Sequence, residues 1–124
     1  MRLTEAQQDK LRKELGDFTI ESAFQDTSIN AEFTTIKGET VFEFHIEYAY
    51  GKKWCEAYLD IHFTKEEEED MKNGVVHAGK MHERYQKALD DYWEECVEER
   101  VQGDQKEKLW EEGSSQEFRT SVVE

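Results

Sequence analysis

Between Val41 and Phe63 two stretches of strict alternation sit either side of a short gap, and they limit the fold more than anything else in the chain. Phe42, Phe44, Ile46 and Tyr48 alternate with Glu43, His45 and Glu47. Beyond the gap, Cys55, Ala57, Leu59, Ile61 and Phe63 alternate with Trp54, Glu56, Tyr58, Asp60 and His62. A period of two puts one set on each face of a half-buried strand. Gly51-Lys52 between them suits a two-residue hairpin, with glycine taking positive φ. That turn pairs Tyr48 with Cys55, Ile46 with Ala57, Phe44 with Leu59 and Phe42 with Ile61, so the inner pairs are apolar or nearly so. A slip of one residue would turn acids into the core, which fixes the register.

Two more strands are expected upstream. Phe18, Ile20 and Phe24 alternate with Thr19, Glu21 and Gln25, and Ile29, Ala31 and Phe33 alternate with Asn30, Glu32 and Thr34. A turn at Asp26-Thr27 would oppose Phe24 to Ile29 and Ile20 to Phe33. A turn at Lys37-Gly38 sets Glu32 opposite Glu43, whereas one at Gly38-Glu39 sets Glu32 opposite His45. The expectation is a four-stranded antiparallel meander over residues 17–63.

Laid out this way, the outer face carries Glu21, Glu32, Glu43 and Asp60 in one row and Glu47 beside Glu56 in a second pair. Like charges facing each other across strands destabilise a sheet, so such a face suggests a task beyond folding. At about 5 Å between strands, four carboxylates in a row would span roughly 14 Å.

Helices flank the strands. Thr4 and Gln7 form a capping box for a first helix from Glu5 to Leu15, which Gly16 ends. Its apolar stripe of Leu3, Ala6, Leu11 and Leu15 is thin. A second box, Thr64 with Glu67, opens a long helix, and Glu66 to Asp70 suit its positive end. Asn73-Gly74 breaks or bends it after two turns. Met71, Val75, Ala78, Tyr85, Leu89, Tyr92 and Cys96 then follow a four-three spacing with His82 in the gap, widened by Met81, Ala88 and Trp93. This stripe is broad enough to cover the aromatic face of a sheet. A coiled-coil homodimer through the same seam is the alternative. Residues 103–124 read as a tail, with a short helix between Asp104 and Glu112, a linker at Gly113-Ser114-Ser115 and a short strand from Glu117 to Val122. The organisation is thus one α+β domain over residues 1–102 followed by that tail.

Composition sets the class of partner. Thirty acids against sixteen bases give a net charge of −14, which disfavours direct contact with nucleic acid or anionic lipid and favours a basic partner or a cation. Seven Phe, five Tyr and three Trp argue against a disordered chain. No apolar run reaches the length of a membrane span, and Met1-Arg2-Leu3-Thr4-Glu5 lacks the apolar stretch of a secretory signal. Cys55 and Cys96 match no ligand spacing and are expected reduced and buried, consistent with a cytoplasmic protein.

The helix adds a second acidic array. Asp90, Glu94 and Glu98 repeat at i, i+4, as do Asp91, Glu95 and Glu99, giving an acid every ~6 Å. Such intervals compare with phosphate spacing on a nucleic acid, so a rigid acidic array can occupy the basic groove of a nucleic-acid-binding protein or nuclease. The plainer reading is a solvated face, as most charge runs are. Trp54 and Tyr58 on the charged face fit a protein-binding patch. Small acidic inhibitors encoded by phages and other mobile elements, including DNA mimics, resemble this chain in character, though no motif marks a family. An immunity protein against a basic toxin would present nearly the same surface.

Other chemistries are thinly supported. His45 and His62 lie near Glu43 and Asp60, a donor mix that suits zinc or manganese, but the predicted register holds the two imidazoles about four residues apart, too far to share an ion easily. His77 and His82 point in different directions on their helix. No phosphate loop, nucleophile elbow or Cys-His pair is present. The sequence therefore points to a non-enzymatic binding protein with no cofactor and no metal.

Overall fold

The computed structural model describes residues 1–20, 27–50, 53–97 and 115–122. Its order is α1 (Glu5–Leu15), β1 (Thr27–Ile36), β2 (Glu39–Tyr50), β3 (Lys53–His62), α2 (Lys65–Lys72), α3 (Ala78–Tyr92), a π-helical turn (Trp93–Val97) and β4 (Ser115–Val122). The class is α+β, with one four-stranded sheet in the order β1-β2-β3-β4.

The central hairpin has the register its alternation dictates. Tyr48 pairs with Cys55, Ile46 with Ala57, Phe44 with Leu59 and Phe42 with Ile61. At the preceding turn Lys37 and Gly38 both take positive φ, 52° and 81°, so the turn falls on these two residues and Glu32 faces Glu43. Positive φ at both central residues matches the twist of a tight hairpin, though lysine adopts it at some cost.

The sheet is mixed, and its fourth strand is not the one expected. Residues 17–20 form no strand, and Glu21 to Asp26 lie outside the described residues. Gln86 on α3 explains the irregular path. Its side-chain amide donates to the Thr19 carbonyl at 2.7 Å and accepts from the Thr19 N–H at 3.3 Å, taking the place of a strand neighbour. Phe18 meanwhile packs edge-on to Phe44 and stacks on the His82 ring. The outer position beside β3 is filled by β4, running parallel, with Ala57 opposite Phe118 and Asp60 opposite Ser121. Parallel pairing needs a crossover, which α2 and α3 provide. Residues 115–122 thus complete the same sheet, whereas the short helix expected at 104–112 lies outside the described residues.

Both capping boxes form. Thr4 accepts from the Gln7 N–H at 3.2 Å while Gln7 Oε1 accepts from the Thr4 N–H at 2.9 Å, and Thr64 and Glu67 do the same at 3.0 and 2.9 Å. Gly16 has a φ of 77° and a ψ of −168°, an extended glycine-only exit rather than a left-handed cap. The long helix breaks at Asn73-Gly74, where Gly74 has a φ of 75°. That turn shifts the helical phase, and Val75, expected in the stripe, stands 40% exposed. Arg84 holds the two helices together. It donates to both carboxylate oxygens of Glu67, at 3.1 and 2.6 Å, and to the His62 carbonyl at 3.1 Å.

The core lies between one sheet face and α3. Phe42, Phe44, Ile46, Tyr48, Leu59 and Ile61 pack with Met81, Tyr85, Leu89, Tyr92 and Trp93, all buried. Phe42 stacks on Tyr85 with 4.6 Å between ring centroids. Burial of the neighbours Tyr92 and Trp93 coincides with the start of the π turn, which adds a residue and lets successive side chains face the sheet. Leu3, Leu11 and Leu15 bring α1 onto the same core. Cys55 is fully buried in this core. Among the described residues no helix is long and apolar enough to cross a membrane.

Leu89, at 0% exposure, sits where α3 crosses the sheet. Leu89→Ala is expected to lower the unfolding free energy by about 2–5 kcal/mol through the cavity it leaves. Val75→Ala should stay within about 0.5 kcal/mol of the parent. Urea titrations of both variants check this contrast.

Candidate functional site

The outer sheet face is a grid of three rows. Glu43 and Asp60 face each other across β2 and β3, Glu47 and Glu56 face each other further along, and His45 and Tyr58 form the row between them. Arg119 on β4 extends the middle row, opposite Tyr58. The His45 ring stacks on Tyr58 at 4.5 Å and 2°, and the Arg119 guanidinium lies over the same ring at 4.5 Å. A cation can stack on an aromatic face in this way while its N–H groups reach sideways. One acid pair therefore has an arginine beside it and the other a histidine.

This arrangement corrects the expectation of a wet acidic row. Glu43 is 7% exposed and Asp60 only 1%. Arg119 Nη1 donates to Glu43 Oε2 at 2.9 Å and to Asp60 Oδ2 at 2.7 Å, so one nitrogen joins both carboxylates. Of the other predicted members, Glu32 is exposed on β1 opposite Glu43 and Glu21 lies outside the described residues. The stretch is a triad of two buried carboxyl groups capped by an exposed arginine rather than an open acidic row.

Burial and mutual repulsion leave a chemical mark on this triad. Desolvation, then the hydrogen bond and the charge of Asp60, push the Glu43 carboxyl up from 4.5 to about 7 against the opposing pull of Arg119. A carboxyl that keeps its proton near neutrality can donate to its partner carboxylate, which relieves the like-charge contact.

The second pair is looser. His45 Nε2 lies 3.5 Å from Glu47 Oε1 and 3.8 Å from Glu56 Oε1, beyond hydrogen-bond length. The nitrogen is shut off from solvent and has no hydrogen-bond partner among the described residues. Imidazole and two carboxylates place their ligand atoms within 4.8 Å of one another, a donor set that can hold a metal ion. His62 takes no part, since it sits opposite Val41 at the far end of β3.

The helical acids divide as well. Asp91 is paired with Lys87 at 2.6 Å and Asp90 accepts from Gln86 at 3.0 Å. Glu94 and Glu95 are exposed on the π turn, which interrupts the even i, i+4 spacing expected from 90 to 99. Glu98 and Glu99 lie outside the described residues, and Trp54 occupies β3 opposite Ala49. Asp17, Asp90 and Glu94 border an open groove of ≈ 520 Å³ between residues 17–20 and α3, together with Thr19, His82 and Gln86.

Sequence reasoning placed the acid pairs but missed Arg119. The signal was present: Arg119 is the one basic residue in the strand expected from Glu117 to Val122, and two facing acids call for a cation.

Because folded Glu43 holds its proton to about pH 7 and the unfolded chain releases it near 4.5, the stability it adds is complete below 4.5 and lost as pH rises to 7. Glu43→Gln, which copies the protonated acid, should match the parent at pH 4.5 and exceed it at pH 8 by on the order of 2–3 kcal/mol. Arg119→Met should do the reverse, losing more at pH 8 than at pH 4.5. Denaturant midpoints at the two pH values decide both. Comparisons with protein-family models, curated proteins and solved structures return no match for this chain.

Proposed function

We propose that this protein is a non-enzymatic, cytoplasmic binding protein that engages a basic protein surface, with α3 and the π turn after it as the contact. The observation that carries the reading is where charge is left over. Glu43 and Asp60, the buried acids of the sheet, are matched within the chain by Arg119. On the helical side Asp17, Asp90 and Glu94 line one groove, and none of the three has an ion-pair partner among the described residues. With a net charge of −14, that side attracts a cationic surface.

A lysine or arginine of the partner would enter the groove between the acids, which Trp93 also lines. Proteins that bind or cut nucleic acids, and basic toxins, present such side chains in clusters. Inhibition of one of them is the sharpest form of the proposal, by occupying the groove that phosphates would otherwise fill. Electrostatic contact of this kind speeds association and weakens with salt.

The test is capture of the partner from a bacterial lysate at rising salt, followed by affinity measurement with the purified partner. Asp90→Asn, Glu94→Gln and Glu95→Gln together should cut affinity roughly tenfold, from about 0.5 kcal/mol per exposed contact. Glu43→Gln should leave it unchanged. A partner held as tightly by the triple variant as by the parent, or a partner that is itself acidic, would refute the assignment. Where the captured protein binds nucleic acid, competition between the two for it separates inhibition from simple association.

A further inference from the structure

We infer that His45, Glu47 and Glu56 form a binding site for a divalent transition metal, zinc or manganese, on the outer face of the sheet. The two acid pairs offer an internal comparison. Around Glu43 and Asp60 a single nitrogen of Arg119 closes contacts of 2.9 and 2.7 Å. Around Glu47 and Glu56 the corresponding contacts to His45 Nε2 are 3.5 and 3.8 Å, too long for hydrogen bonds and wide enough to admit an ion between them.

Ligand chemistry and geometry agree. A tetrahedral zinc ion with bonds of about 2.0–2.2 Å sets its ligand atoms roughly 3.3–3.6 Å apart. The two distances to the imidazole, 3.5 and 3.8 Å, lie at or slightly beyond that, and all three donor atoms lie within 4.8 Å of one another, so rotations of the two glutamate side chains close the site. One imidazole and two carboxylates suit zinc or manganese rather than magnesium, which favours oxygen ligands alone. Three protein donors leave a further position for water or for a group on a partner.

Two more observations point to an ion rather than to chance proximity. The Nε2 atom is buried without a hydrogen bond, an arrangement that wastes a polar atom unless something occupies the space in front of it. Its orientation is fixed, because the ring lies flat on Tyr58, which is itself covered by Arg119. Glu47 and Glu56 also face each other directly across β2 and β3, where two anions repel unless a cation lies between. Ser28 and Asn30, exposed on β1 opposite Glu47 and His45, leave this side polar and open.

Full-length protein stripped with a chelator and dialysed is titrated with zinc and, separately, with manganese and magnesium, following heat by calorimetry and the thermal midpoint. The expected result is one saturable site for zinc or manganese, a raised midpoint and little response to magnesium. His45→Ala, Glu47→Gln and Glu56→Gln should each weaken that binding by about tenfold or more. His77→Ala, which removes a histidine beside Asp70 elsewhere, should not. Cobalt as a probe should give intense visible bands from a four-coordinate site, lost in Glu47→Gln even where that variant is as stable as the parent. Binding that all four variants retain equally, or the absence of saturable binding in the parent, overturns the proposal.

Discussion

A carboxylate withdrawn from water must meet positive charge or keep its proton, and on this sheet two carboxylates are withdrawn side by side. Asp60 is almost completely buried and Glu43 nearly so, in facing positions on adjacent strands. Arg119 and the raised proton affinity of Glu43 together make that tolerable. Without them the central hairpin would carry an unmatched buried charge, among the most destabilising features a fold can hold. The triad also ties β4 to the central hairpin. Its arginine lies on a strand that pairs parallel to β3, so the charge requirement of the hairpin is met by residues far away in sequence.

Tyr58 organises the electrostatics on both sides of it. Histidine and arginine stack against the same ring, one along each strand boundary, and each turns toward a different acid pair. The outer face is thus a banded surface in which acid rows flank a row of aromatic and basic groups. On the helical side Glu94 and Glu95 stand exposed on the π turn.

How much could be read from residues alone follows the range of the interactions. Strand alternation in β2 and β3 is local and its register came out correctly, as did both capping boxes, while of the two turns left open before β2 the structure takes Lys37-Gly38. The break at Asn73-Gly74 was legible for the same reason. Residues 17–20 misled because their alternation is real, yet Gln86 satisfies the Thr19 backbone and Phe18 is drawn into the core. Alternation reports which side chains are buried, not what bonds the main chain. Cation placement was the other failure. A bridge between Asp60 and Arg119 spans 59 positions, and no periodic pattern carries information over that distance.

That separation also sets an order of events during synthesis. The hairpins of β1, β2 and β3 close over short turns and can form as soon as they are made. β4 is translated after every element it contacts, and its docking must close a long loop before any bond is gained. Until it arrives, the free edge of β3 stays open to pairing with other chains and Asp60 lacks its counter-ion. The nascent domain therefore passes through an interval in which slow translation of the last strand would favour aggregation, and a neutral side chain at Glu43 would ease the wait.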